Sequence, residues 1–72
     1  MTRIHIHAPK GHYIGQVRLY GYRRWETVTG PCKSDTQAMA KAVKHMTMNY
    51  KRARVLFIAD WYEPVVVMEA HR

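Results

Sequence analysis

The sequence predicts an α+β fold: a small antiparallel sheet of four to five strands with one helix packed on it, in the order ββ(β)αββ, with residues 1–72 forming a single domain. Three observations carry this. Apolar and polar residues alternate in the first third of the chain, one capped stripe of helical period occupies the middle, and two apolar runs flank a turn near the end.

From Arg3 to His7, Ile4 and Ile6 fall on one side and Arg3, His5 and His7 on the other, the pattern of a short half-buried strand. Ala8-Pro9-Lys10-Gly11 breaks it. Alternation resumes from Tyr13 to Tyr20, with Val17 and Leu19 on one face and Gln16, Arg18 and Tyr20 on the other. Gly21 marks a tight hairpin turn, and the returning segment Arg23 to Thr29, rich in Trp and Thr, ends at Gly30-Pro31.

Ser34-Asp35-Thr36-Gln37 then has capping-box spacing, and Asp35 suits the positive end of a helix. Ala38, Met39, Ala42, Val43, Met46 and Tyr50 make the apolar stripe, with Lys41, Lys44 and His45 on other faces. Methionines at this period are core material packed on the sheet rather than a soft-metal groove. After the basic stretch Lys51 to Arg54, Val55–Ala59 and Val65–Met68 form a second hairpin around Asp60 to Pro64. Their continuous apolarity places them centrally in the sheet.

A 72-residue chain has room for one core. A domain of this size buries only about 60 % of its unfolded surface, so a homodimer or a host complex would add stability. Cys32, the single cysteine, has no disulfide partner within the chain and belongs to a loop, which suits a reducing compartment. No basic start followed by an apolar run is present, and no apolar stretch approaches membrane-spanning length. The expectation is a cytoplasmic protein, in a bacterial host cell, with no membrane partner.

Charge narrows the partners further. Twelve Lys and Arg against five Asp and Glu leave a net charge of +7, which concentrates polyanions around the molecule. The cations are interleaved with aromatics: Arg18, Arg23 and Arg24 lie among Tyr20, Tyr22 and Trp25, while Lys51, Arg52 and Arg54 follow Tyr50. Guanidinium and ammonium groups suit phosphates, and aromatic faces stack on bases. Tyr, Trp and Arg are equally the residues of protein interface hot spots. The candidate binding set is therefore Arg18, Tyr20, Tyr22, Arg23, Arg24, Trp25, Lys51, Arg52 and Arg54.

Catalytic patterns are weak by comparison. Asp60 and Glu63 read as turn residues, no base is placed beside Cys32, and no glycine-rich phosphate loop or dinucleotide fingerprint occurs. We expect neither an enzyme nor a cofactor. His5 and His7 share a strand face with His12 nearby, but without a local thiolate or carboxylate they make an incomplete metal site.

The segment Ser34 to Met48, with the pattern S-D-x-x-A-x-A-K-A-x-x-x-M-x-M, followed by a polar break and an apolar hairpin containing Val55-Leu56 and Pro64, resembles small type I-F anti-CRISPR proteins. The resemblance covers the C-terminal half. It implies a phage-encoded, non-enzymatic inhibitor that binds an RNA-guided surveillance complex and blocks recognition of target DNA. Many such inhibitors are acidic and imitate DNA, whereas this chain is strongly basic, so an acidic protein patch or bound RNA suits it better. Two readings follow: an inhibitor or accessory protein docked on a host protein or ribonucleoprotein complex, or a direct binder of DNA or RNA that uses the same surface.

Overall fold

The structure is a computed structural model of the 72-residue chain and describes residues 2–3, 11–19, 21–46, 49–59 and 62–71. Its elements are β1 (Thr2–Arg3), β2 (His12–Leu19), β3 (Trp25–Thr27), α1 (Asp35–Val43), β4 (Tyr50–Ala59) and β5 (Tyr62–His71). All strands join one five-stranded antiparallel sheet in the order β1-β5-β4-β2-β3, with the helix on one face, as the α+β reading requires. Among the described residues no helix is long and apolar enough to cross a membrane.

Helix α1 begins where its cap dictates. Ser34 has extended backbone, and its hydroxyl accepts from the Gln37 N–H at 3.1 Å. The Gln37 side chain reaches back to the Lys33 N–H at 3.3 Å, one residue beyond the usual capping-box position. Asp35 accepts from the Thr36 N–H at 2.7 Å, at the positive helix end. Ala38, Met39 and Ala42 are buried against the sheet. The stripe is shorter than its sequence suggests. Val43 is 43 % exposed, the chain leaves the helix through tight turns from His45 to Ala42 and Met46 to Val43, and Tyr50 opens β4 instead of ending the helix.

The core lies between α1 and the sheet. Val17, Val55 and Val67 are fully buried, and Phe57, Ala53, Met39, Met46 and Met68 surround them. Burying each such side chain contributes roughly 1.5–3 kcal/mol. The helix lies close over Gly15, where an added Cβ would lie 2.8 Å from the Ala38 carbonyl oxygen and 2.9 Å from the Ala42 Cβ.

Several sequence expectations change. The Gly21 turn exists, closed by Tyr22 N–H to the Leu19 carbonyl at 3.1 Å, with Gly21 at φ 83°, a left-handed conformation that glycine adopts without steric cost. The connection is nevertheless longer than a tight hairpin, because β3 starts only at Trp25. The returning strand is also shorter than Arg23 to Thr29. Beyond Thr27 the ladder passes to a side chain: Val28 N–H donates to the Gly15 carbonyl at 3.0 Å, while Gly15 N–H donates to the Thr29 hydroxyl at 2.8 Å.

Cys32 is not a loop residue; it exchanges backbone hydrogen bonds with Tyr13 at 2.8 and 2.9 Å and is 3 % exposed within the core. The basic stretch Lys51 to Arg54 belongs to β4, since Ala53 keeps the inward period while Arg52 and Arg54 point away. β5 likewise runs from Tyr62 through His71, and Pro64 falls where its register with β4 shifts, a place that needs no donor. Of the strand expected from Arg3 to His7, Arg3 belongs to β1, and its remainder from Ile4 to His7, the break before Gly11, the tip Asp60-Trp61 and the residue Met48 lie outside the described residues.

Candidate binding face

Strand alternation leaves the sheet face opposite α1 to the residues that are not in the core. The register sets them in two rows. The first runs from Trp25 on β3 to Arg18 on β2, Arg52 on β4 and His71 on β5, and the second from Thr27 to Gln16, Arg54 and Glu69. Farther along the same face Ile14, Leu56 and Val66 align. Leu56 is buried at 8 % exposure yet is not part of the helix-side cluster, as expected of a residue on the opposite face.

Like charges directly opposite each other on paired strands are destabilising, and Arg18 faces Arg52. Trp25 offsets this repulsion. Its indole ring takes the Arg54 guanidinium at 4.2 Å and the Arg18 guanidinium at 5.2 Å from its centroid, both within cation–π range. Arg54 is held from a second side as well: its Nε donates to Gln16 Oε1 at 2.8 Å, and Gln16 Nε2 donates to Thr27 Oγ1 at 3.0 Å. This relay fixes the plane of the guanidinium and leaves its terminal amino groups outside the Nε bond. Burial pulls the Arg54 pKa below its usual value, Glu69 pulls it back up, and Arg18 lowers it further. Arginine nonetheless stays protonated at physiological pH.

Beside this cluster the face is indented. A pocket of about 240 Å³ is lined by Trp25, Arg52, Ala53, Glu69, Ala70 and His71. Ala53 and Ala70 pair across β4 and β5, and their side chains point toward the helix, so backbone forms the floor between the Arg52–His71 and Arg54–Glu69 pairs.

Of the residues expected from sequence, Arg18, Trp25, Arg52 and Arg54 come together on this face. Tyr22, Arg23 and Arg24 are exposed on the β2–β3 connection that leads into Trp25, Tyr22 at 64 %. Lys51 is exposed at the irregularity where β4 has one residue more than β2. Tyr20 lies outside the described residues, as do His5 and His7. His12 is half-buried opposite Ile58, far along β2 from the arginines. No group of three or more His, Cys, Asp or Glu arranged to hold a metal occurs among the described residues.

The sequence reading missed Gln16 and Thr27 as orienting groups and Glu69 and His71 as pocket walls. Their signal was period-two alternation continued past Met68, which places Glu69 and His71 together.

Comparison with known protein families, with curated proteins and with solved structures finds no significant match. The likeness to type I-F anti-CRISPR proteins therefore rests on the Ser34–Met48 pattern and the following hairpin alone. Within that pattern Ser34 acts as the cap and Ala38 and Ala42 as core, while Ala40 and Lys41 are exposed.

Proposed function

We propose that this chain is a non-catalytic nucleic-acid-binding protein that lays a single strand across the sheet face opposite the helix. The observation that carries the reading is the gathering of Arg18, Arg52 and Arg54 around Trp25 on one face, with Arg54 oriented by Gln16. Guanidinium groups placed in this way can meet successive phosphates, and Arg23 and Arg24 extend the positive track onto the adjoining loop. The +7 net charge draws the strand in.

A second reading has its own support. Ile14, Leu56 and Val66 continue the basic cluster into an apolar strip, the composition of an interface that combines a hydrophobic centre with a polar rim. On that reading the chain is a phage-encoded inhibitor, active in the bacterial cytoplasm, that docks on a host ribonucleoprotein such as a CRISPR surveillance complex. The clustered guanidiniums favour direct nucleic-acid contact.

The test is anisotropy of a labelled single-stranded oligonucleotide titrated at several salt concentrations. Each phosphate neutralised on a single strand contributes about −0.7 to the slope of log K against log salt, so the five arginines together give a slope near −3.5. Arg18→Gln/Arg52→Gln should bring it to about −2. Folding should survive, because the change removes an opposed pair of like charges. Absence of binding, or a slope unchanged in the double variant, overturns the proposal. A stoichiometric protein retained from nuclease-treated bacterial lysate would put the inhibitor reading in its place.

A further inference from the structure

We infer that the pocket between Trp25, Arg52, Glu69 and His71 receives one unpaired guanine base of the bound strand. The inference rests on the nucleic-acid reading and gives it a sequence preference.

Glu69 stands directly opposite Arg54 and its charge acts on that guanidinium, while its exposed carboxylate is also the one anionic group among the pocket walls. An ionised carboxylate is acceptor-only and is best matched by two adjacent donors. Among the bases, guanine alone sets a ring N–H beside an amino group on one edge. Adenine and cytosine each present an amino group next to an acceptor nitrogen, and uracil and thymine present one N–H between two carbonyls.

Guanine also matches the opposite wall. Its O6 and N7 are both acceptors, the pair that an arginine fork addresses, and Arg52 lines the same pocket with His71 beside it. Trp25 closes one side with an aromatic surface, and the paired backbone of Ala53 and Ala70 forms the floor. At about 240 Å³ the indentation is below the usual range for drug-sized ligands, which fits a single base with its sugar and phosphates left outside among the arginines.

The preference belongs to Glu69, which makes it separable from overall affinity. Removing a negative charge from this face should strengthen binding to every oligonucleotide, so the readout is a ratio of affinities, not an affinity. Oligonucleotides of one length, each with a single central G, A, C or T/U in a neutral context, are to be compared at fixed salt as DNA and as RNA. The expected result is at least about a fivefold preference for G in both, since the pocket groups address the base and not the sugar. In Glu69→Gln, which keeps shape and removes the charge, the ratio should fall to near unity while the other oligonucleotides bind as tightly as before or more tightly. Circular dichroism establishes that the variant is folded. Equal binding of all sequences, or a G preference that survives in Glu69→Gln, overturns the guanine assignment and leaves the nucleic-acid reading intact. If no oligonucleotide binds, both fall.

Discussion

Gly15→Ala is the most direct test of how the helix is seated, and therefore of which sheet face is left open. The added Cβ would lie 2.8 Å from the Ala38 carbonyl oxygen, 2.9 Å from the Ala42 Cβ and 3.0 Å from the Thr29 Cγ2. Carbon atoms pack best at about 3.5–4.0 Å, so the contact with Ala42 is short by roughly 0.6 Å. Two of the three neighbours belong to α1, one of them backbone, so no side chain can rotate away and the helix must lift as a unit. That movement loosens Ala38 and Ala42, both 0 % exposed. Overpacking of this kind costs about 1–3 kcal/mol, and the smaller conformational freedom of Ala in the unfolded chain returns about 0.4–1 kcal/mol. The net loss is about 1–2 kcal/mol, or a fall in Tm of roughly 5–15 °C for a domain of this size.

Thermal and urea unfolding followed by circular dichroism would measure it. Gly30→Ala is the matched control, because a Cβ there meets nothing within 4 Å. It should leave stability unchanged or slightly raised. Gly15→Ala as stable as the parent protein would show that the helix does not rest on β2 at this point, and the assignment of the open face would go with it.

Two further perturbations probe the open face and its edge. A double-mutant cycle of Trp25→Leu with Arg54→Met should show a coupling of about 0.5–1 kcal/mol in urea unfolding, and additive effects would mean that the ring does not hold the guanidinium. The Tyr50 hydroxyl donates to Glu26 at 3.2 Å, and this bond, followed by the charge of Glu26 and by burial, raises the phenol above its ordinary pKa of 10.0. A raised folded-state value means that the stabilisation is fully present below pH 10.0 and is lost as pH rises through the folded pKa. Glu26→Gln should therefore bring the Tyr50 titration, followed by NMR of its ring, back toward 10.0, and an unmoved midpoint would refute the pairing.

Element order and the helix N-terminus were legible in the sequence because each rests on local chemistry: alternation around Val17, the Ser34 cap, and apolar runs on either side of a turn. Strand ends were less legible. Arginine-rich segments read as breaks, yet Arg52 and Arg54 belong to β4 because only one of its faces needs to be dry. The role of Cys32 was hidden for a related reason, since its pairing with Tyr13 spans Gly30-Pro31, which reads as the end of structure. For the site, residue type identified the arginines and Trp25. Their meeting depends on the β2–β4 register, a non-local quantity that no window of sequence contains. Glu69 and His71 were missed because the strand was expected to stop at Met68.

The passage from β3 to Cys32 bears on how the molecule behaves in a crowded solution. An outer strand normally offers a row of amides and carbonyls to which any extended chain can attach. Here the regular edge lasts three residues, from Trp25 to Thr27. The hydroxyl of Thr29 then stands where a carbonyl would continue the ladder, and Pro31 has no amide hydrogen to offer. A foreign strand approaching this border finds too few bonds in phase to stay. The threonine completes the fold's own hydrogen bonding toward β2, and it is the brevity of the regular edge that gives an incoming strand little to extend.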